Sequence, residues 1–255
     1  MVRRTLVAAA GALTLAVCAP FTLADASGYA PRTVQALDRA VAPGGRHVSV
    51  VVADVRTGHE LYARRPATQR VLAYNTKLFV TAAAARRWGR ALAPMLVAIL
   101  RPSDNLLAER LATRLGHGSE KAGVRIAVRF ARSVGVRVRL HDAAGLDPAN
   151  RTTARQMVRF LLVMRHVHGF RAWKRALPLA GRSGTLAYRM RGTAAAGRCH
   201  GKTGTLFLRT LASTLSGYCT TRSGKVVAFS ILTGGMPIVA AHAVQDRVLE
   251  RLAAR

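Results

Sequence analysis

Carboxylates are scarce in this sequence: 11 Asp and Glu stand against 40 Lys and Arg, a formal charge of +29 over 255 residues. Lysine is scarce too, with five (Lys77, Lys121, Lys174, Lys202 and Lys225), so almost all of the charge is arginine. Arginine and alanine richness together can follow from a genome's base composition; read functionally, the charge favours anionic polymers as partners. Aromatics form 5% of the chain and do not interleave with the basic residues. Helix-turn-helix, zinc-finger and RRM motifs are absent as well, which argues against nucleic acid. Beyond the N-terminal leader no run reaches the roughly 20 apolar residues that span a bilayer, so no transmembrane segment is expected in the mature chain. His141, His166, His168 and His200 form no i, i+4 pair and no H-E-x-x-H, so neither a metal nor a cofactor is expected. Repeats and low-complexity linkers are also missing, and a half-hydrophobic chain of this length defaults to one domain.

What is present begins with a leader. Arg3 and Arg4, the apolar stretch Leu6 to Val17 and the A-x-A triplet Ala24-Asp25-Ala26 read as a secretory signal peptide over residues 1–26. The expected destination is secreted, or periplasmic and cell-wall associated, which makes anionic wall polymers the fitting polyanion. Leu15-Ala16-Val17-Cys18 resembles a lipoprotein box, but Val17 is the wrong residue before the cysteine, and simple release is the preferred reading. Removal of the leader leaves Cys199 and Cys219 in an oxidising compartment. They flank the turn of an expected hairpin, either as a disulfide stapling two strands or as two buried thiols.

Apolar spacing predicts a helix over Thr33 to Val41 ended by Pro43-Gly44-Gly45, then a hairpin of His47 to Val55 and Glu60 to Ala63 around Arg56-Thr57-Gly58. Asn75 to Trp88 is rich in helix formers and stops at Gly89. Ser103 follows Pro102 and precedes a helix running through Leu106, Leu107, Leu111 and Leu115, stopped by Gly116. After Ser119, the segment with Ile126, Ala127 and Phe130 suits a capped helix or, by its alternation with Arg125 and Arg129, a strand. Val134, Val136, Val138 and Leu140 alternate as an extended segment, and Thr152 or Thr153 opens a helix through Met164. Three antiparallel strands follow, at Arg198 to Thr203, Leu215 to Thr221 and Val226 to Leu232. The last two are joined by Arg222-Ser223-Gly224-Lys225, and a helix carrying Ala240, Val244, Val248 and Leu252 ends the chain. Strands from both ends can thus complete one antiparallel sheet backed by the terminal helices.

Three short runs carry the chemistry: Tyr74-Asn75-Thr76-Lys77, Ser103-Asp104-Asn105 and Lys202-Thr203-Gly204-Thr205. Their order and grouping match Ser-x-x-Lys, Ser-Asp-Asn and Lys-Thr-Gly, the acyl-transfer signature of β-lactamases and penicillin-binding proteins, in which the first serine attacks an acyl carbon. The first run keeps its lysine but holds Tyr74 where the serine belongs. Taken singly, Lys77 could be a solvated helix lysine, Ser103 an N-cap and Lys202-Thr203-Gly204 a strand end; the ordered set is the specific signal.

With Asn75-Thr76-Lys77-Leu78-Phe79, Asp142-Ala143-Ala144-Gly145-Leu146, Ala180 to Leu186, Arg191-Gly192-Thr193, Ala196-Gly197-Arg198 and Ser216-Gly217-Tyr218, the chain resembles the serine-type D-alanyl-D-alanine carboxypeptidases and endopeptidases. These are the low-molecular-mass class C penicillin-binding proteins. The similar segments extend from about residue 46 to the C-terminus. The resemblance implies an α+β transpeptidase-like fold, an antiparallel sheet flanked by helices plus a helical lobe, with the site between them. The expected layout is a single domain over 27–255, its sheet drawn from 46–64 and 197–233 and its lobe from about 74–190. The family's long domains inserted between Lys77 and Ser103 are lacking, so the chain reads as a shortened member.

Roles transfer by position. Residue 74 would be the nucleophile and its N–H half of an oxyanion hole, with Thr205 N–H the other half. Lys77 would accept the proton, tuned by Lys202 and desolvation, and Ser103 would relay it to the leaving D-alanine. Asn105 would hold the substrate backbone, and Lys202, Thr203, Gly204 and Thr205 would receive the terminal carboxylate on a strand that pairs with the peptidoglycan stem peptide. A phenol at residue 74 puts its oxygen far beyond a serine hydroxyl's place, and attack needs reacting atoms about 3–3.5 Å apart. The expectation is a stem-peptide-binding family member whose catalysis is lost or strongly impaired; the alternative is a basic, non-catalytic envelope-polymer-binding protein.

Overall fold

In the computed structural model, residues 29–207 and 211–255 are described; the leader and Cys18 lie outside the described residues. Strand β1 (Val48–Asp54) is buried along nearly its whole length, because both faces of the sheet are covered. On one face Val50 and Val52 pack with Leu37, Val41, Val244 and Leu252; on the other, Val51 and Ala53 join Phe79, Phe160 and Trp173. Two buried faces explain why the strand reads as a largely apolar run, interrupted only by buried Ser49, instead of an alternating one.

Asp54 turns the chain by accepting from the N–H groups of Arg56 and Thr57, and β2 (Glu60–Arg64) returns beside β1. Strands β5 (Cys199–Leu206), β6 (Ala212–Thr220) and β7 (Val226–Gly234) complete one antiparallel sheet in the order β2-β1-β7-β6-β5. The join between chain ends is the β1–β7 ladder, with Val50 opposite Ile231 and Val52 opposite Phe229. Helices α1 (Pro31–Val41) and α8 (Ile238–Ala253) cover the first face. Cys199 and Cys219 stand directly opposite each other on β5 and β6 with Cα atoms 4.0 Å apart, joined as a disulfide.

The second face carries α2 (Thr76–Trp88), α3 (Ala93–Leu100), α4 (Asn105–Leu115), α5 (Glu120–Ser133), α6 (Ala154–Met164) and α7 (Phe170–Ala176). Gly89 stops α2 at φ 57°, a conformation that costs glycine little. Ser119 accepts from Ala122 N and settles the following segment as a helix, and Thr153 caps α6 through Gln156 N. Helices α3 and α7 lack the periodic pattern that would betray them: α3 is almost uniformly apolar and α7 is only 7 residues long. Residues 134–140 form no extended ladder; only Arg139 bridges to Arg151. Two short strands, β3 (Arg70–Val71) and β4 (Arg151–Thr152), pair beside that bridge.

Candidate active site

A single turn of 3-10 helix, Ala73–Asn75, leads into α2, so residue 74 lies at a helix entrance with Lys77 one turn further on. Ala73 takes φ 46°, a left-handed conformation for a residue with a Cβ. Asn75 is fully buried, and its Nδ2 donates to Lys202 O at 3.1 Å and Thr214 Oγ1 at 2.6 Å. Thr214 in turn donates to Leu72 O at 3.0 Å. The helix entrance is thereby tied to β5 and β6.

The approach is close enough to exclude side chains. A Cβ on Gly204 would stand 2.7 Å from Tyr74 N and 2.5 Å from Thr214 Oγ1. A Cβ on Gly145 would stand 2.2 Å from Ala73 O. Strand β5 and the 142–150 loop therefore converge on the backbone of residue 74. Asp142 knits that loop by accepting from Gly145 N, Leu146 N, Asp147 N and Asn150 Nδ2.

Lys77 is fully buried, and its Nζ donates to Asn105 Oδ1 at 2.7 Å and Ala144 O at 2.5 Å. Burial pushes its pKa down to about 8, against a smaller upward pull from Asp142, Asp104 and Glu109. Lys202 is also fully buried, and its Nζ donates to Ser103 Oγ and Thr203 O, each at 2.7 Å. Burial, and then the charge of Lys77, hold its pKa well below the usual lysine value. Both amines are thus biased toward the neutral, proton-accepting form.

Ser103 does not cap α4: Asp104 does, accepting from Leu107 N at 2.8 Å. This leaves the Ser103 hydroxyl to Lys202, with the serine backbone at φ 68°. Thr203 and Thr205 alternate with buried Lys202 and Gly204 and are half-buried on one side of β5. Thr203 Oγ1 lies 2.6 Å from Thr185 Oγ1. The residues singled out by sequence therefore meet in one place. Those that sequence left without a role are supports, namely Asn75, Asp142, Ala144, Thr185 and Thr214. All but Thr214 lie in the segments that carry the family resemblance, which was the available signal.

Tyr74 itself is partly buried against Val71, Ala73, Leu206 and Ala212. Lys77 Nζ stands 4.5 Å from the centre of its ring. Apart from that residue, the cleft has the parts of an acyl-transfer site: two desolvated amines, a hydroxyl held by one, and an amide on the other. Among the described residues no group of three His, Cys, Asp or Glu side chains could hold a metal ion.

This sheet and its helices are the β-lactamase and penicillin-binding-protein fold. A β-lactamase from Chitinophaga pinensis DSM 2588 is similar at a TM-score of 0.71 and 14% identity, covering 86% of this chain and 97% of that one. Penicillin-binding protein 4 from Haemophilus influenzae is similar at 0.56 and 20% identity, over 64% of this chain and 42% of that one. The D-Ala-D-Ala carboxypeptidase 3 (S13) family matches residues 89–255, and the chain belongs to it. A D-alanyl-D-alanine carboxypeptidase of Actinomadura sp. (strain R39) is 38% identical over 181 residues, 64% of this chain. That stretch is 32% of the relative, so the chain spans about a third of its length. The family match begins at residue 89, beyond Tyr74 and Lys77.

Proposed function

We propose that this protein binds the D-Ala-D-Ala end of peptidoglycan stem peptides in the manner of a carboxypeptidase, with acyl-enzyme chemistry lost or strongly impaired. The carrying observation is the assembled set Lys77–Asn105 and Lys202–Ser103 around a residue 74 that is tyrosine. Thr203, Gly204 and Thr205 receive the terminal carboxylate, beside the Nζ donor of Lys202. The N–H groups of residues 74 and 205 form the oxyanion hole, and Asn105 holds the peptide backbone. Lys77, with its amine near neutrality, is the base for a hydroxyl at residue 74, and Ser103 relays the proton. The phenol of Tyr74 extends past the attack position, and loss of a serine nucleophile costs on the order of 10⁶ in turnover in serine hydrolases.

The protein is a single transpeptidase-like domain over 27–255, released from a signal peptide into a secreted, periplasmic or wall-associated location. A fluorescent penicillin tests the chemistry: purified mature protein stays unlabelled, and Tyr74→Ser gains covalent label. Labelling of the unsubstituted protein would overturn the loss of chemistry. Titration with a D-Ala-D-Ala pentapeptide tests recognition, and absence of binding counts against it. If the fold were only a scaffold for a basic polymer binder, binding would fall steeply with salt and ignore the peptide; the intact amine and amide contacts favour the first reading.

A further inference from the structure

Beside β3, one short stretch of chain before residue 74, lies an open depression of about 310 Å³ lined by Gln69, Arg137, Val138, Arg139 and Arg151. Its lining is brought together by the bridge between residues 139 and 151 and by β3. Arg139 and Arg151 exchange backbone hydrogen bonds at 2.9 Å in both directions and are directly opposed. Arg151 is also opposite Val71 on β3. Arg137 and Val138 lead directly into Arg139, and Gln69 directly into β3, so these residues border the same depression.

Like charges directly opposite across an antiparallel pair repel. Among the described residues no hydrogen bond or carboxylate engages any of the three guanidinium groups, because the ion pairs use Asp38, Asp147, Glu60 and Asp246 with other partners. All three arginines are exposed, so water screens the repulsion, but no protein group neutralises it. An anion between the forks would relieve it, and three planar forks match the several oxygens of a phosphate better than the two of a carboxylate.

We infer that this arginine-lined depression is a phosphate-binding site that anchors a polyol-phosphate wall polymer next to the cleft. The Gln69 amide is placed to bond polyol hydroxyls between phosphates. No aromatic residue lines the depression, so it offers no stacking platform for the bases of a nucleic acid. The site is independent of the proposed recognition of stem peptides.

The test compares three proteins at about 0.15 M salt: the unsubstituted chain, Arg137→Gln/Arg139→Gln/Arg151→Gln, and a control of equal charge loss on α5, Arg125→Gln/Arg129→Gln/Arg132→Gln. Each is titrated with poly(glycerol phosphate), inorganic phosphate and a single-stranded oligonucleotide. The expected result is a loss of polymer affinity of about tenfold or more in the site variant and about twofold or less in the control. Inorganic phosphate should raise the melting temperature of the unsubstituted protein and control but not of the site variant, and pentapeptide binding should be unchanged in all three. Equal losses in both triple variants would overturn the site, since diffuse charge then suffices. Phosphate protection without polymer binding would overturn the polymer, and tighter, site-dependent oligonucleotide binding would replace it with nucleic acid. If the triple variant does not fold, Arg139→Gln alone should still lose about threefold in polymer affinity, and no loss there overturns the proposal.

Discussion

Lys77 carries a pH signature that the protein should display whether or not it turns over substrate. Its folded pKa of about 8 lies below the ordinary 10.5 because burial disfavours the ammonium. Between those values the unfolded chain holds a proton that the folded chain has released. Stability therefore rises as pH climbs from about 8 to about 10.5, and below about 8 both states are protonated and this contribution is flat. Lys202 acts in the same direction. Lys77→Met should flatten the rise by on the order of 2–3 kcal/mol, measured by urea unfolding at several pH values; an unchanged slope would contradict the assignment. Asn75→Ala should cost about 1–3 kcal/mol at any pH, because it removes the buried amide that donates to Lys202 O and Thr214 Oγ1.

Strand β5 has to lie against the helix entrance for the cleft to exist, and the absence of a side chain at residue 204 permits it. Gly204→Ala should push the strand from residue 74, lowering stability by about 1–3 kcal/mol. In a Tyr74→Ser background it should also suppress penicillin labelling; full labelling would show that the close approach is dispensable. On the other side of α2, Phe79 and Phe160 meet with ring centres 4.3 Å apart, both fully buried. Phe79→Ala should therefore cost about 3–5 kcal/mol in thermal or urea unfolding. Elements with clear helix formers, caps or alternation, such as α2, α6 and the β5–β7 strands, were legible from sequence, whereas α5 suited helix or strand and only its cap in the structure settles it. Those held by context were not: α3 and α7 exist because the sheet's second face must be covered, and the alternation of Val134 to Leu140 produced only the single bridge of Arg139 to Arg151.

For the whole molecule, the Cys199–Cys219 link closes a loop of sequence separation 20 across β5 and β6. Replacing both cysteines by serine should lower stability by about 2–3 kcal/mol, read by urea unfolding under non-reducing conditions, through the entropy the link removes from the unfolded chain. The order of the three motifs, the hydrophobic alternation and the cap residues determined the family, the antiparallel sheet and which residues gather at the cleft, because these depend on local chemistry and spacing. Sequence also determined that residue 74 is a phenol, which no packing can convert to a serine hydroxyl. Only the tertiary structure decided that Asp104 rather than Ser103 caps α4, that Lys202 takes the serine, and that Asn75 ties the helix entrance to the sheet. It alone decided, too, that three arginines distant in sequence from Gln69 line one depression with it. Such pairings depend on distances between segments far apart in the chain, and those distances exist only once the two faces of the sheet have been buried.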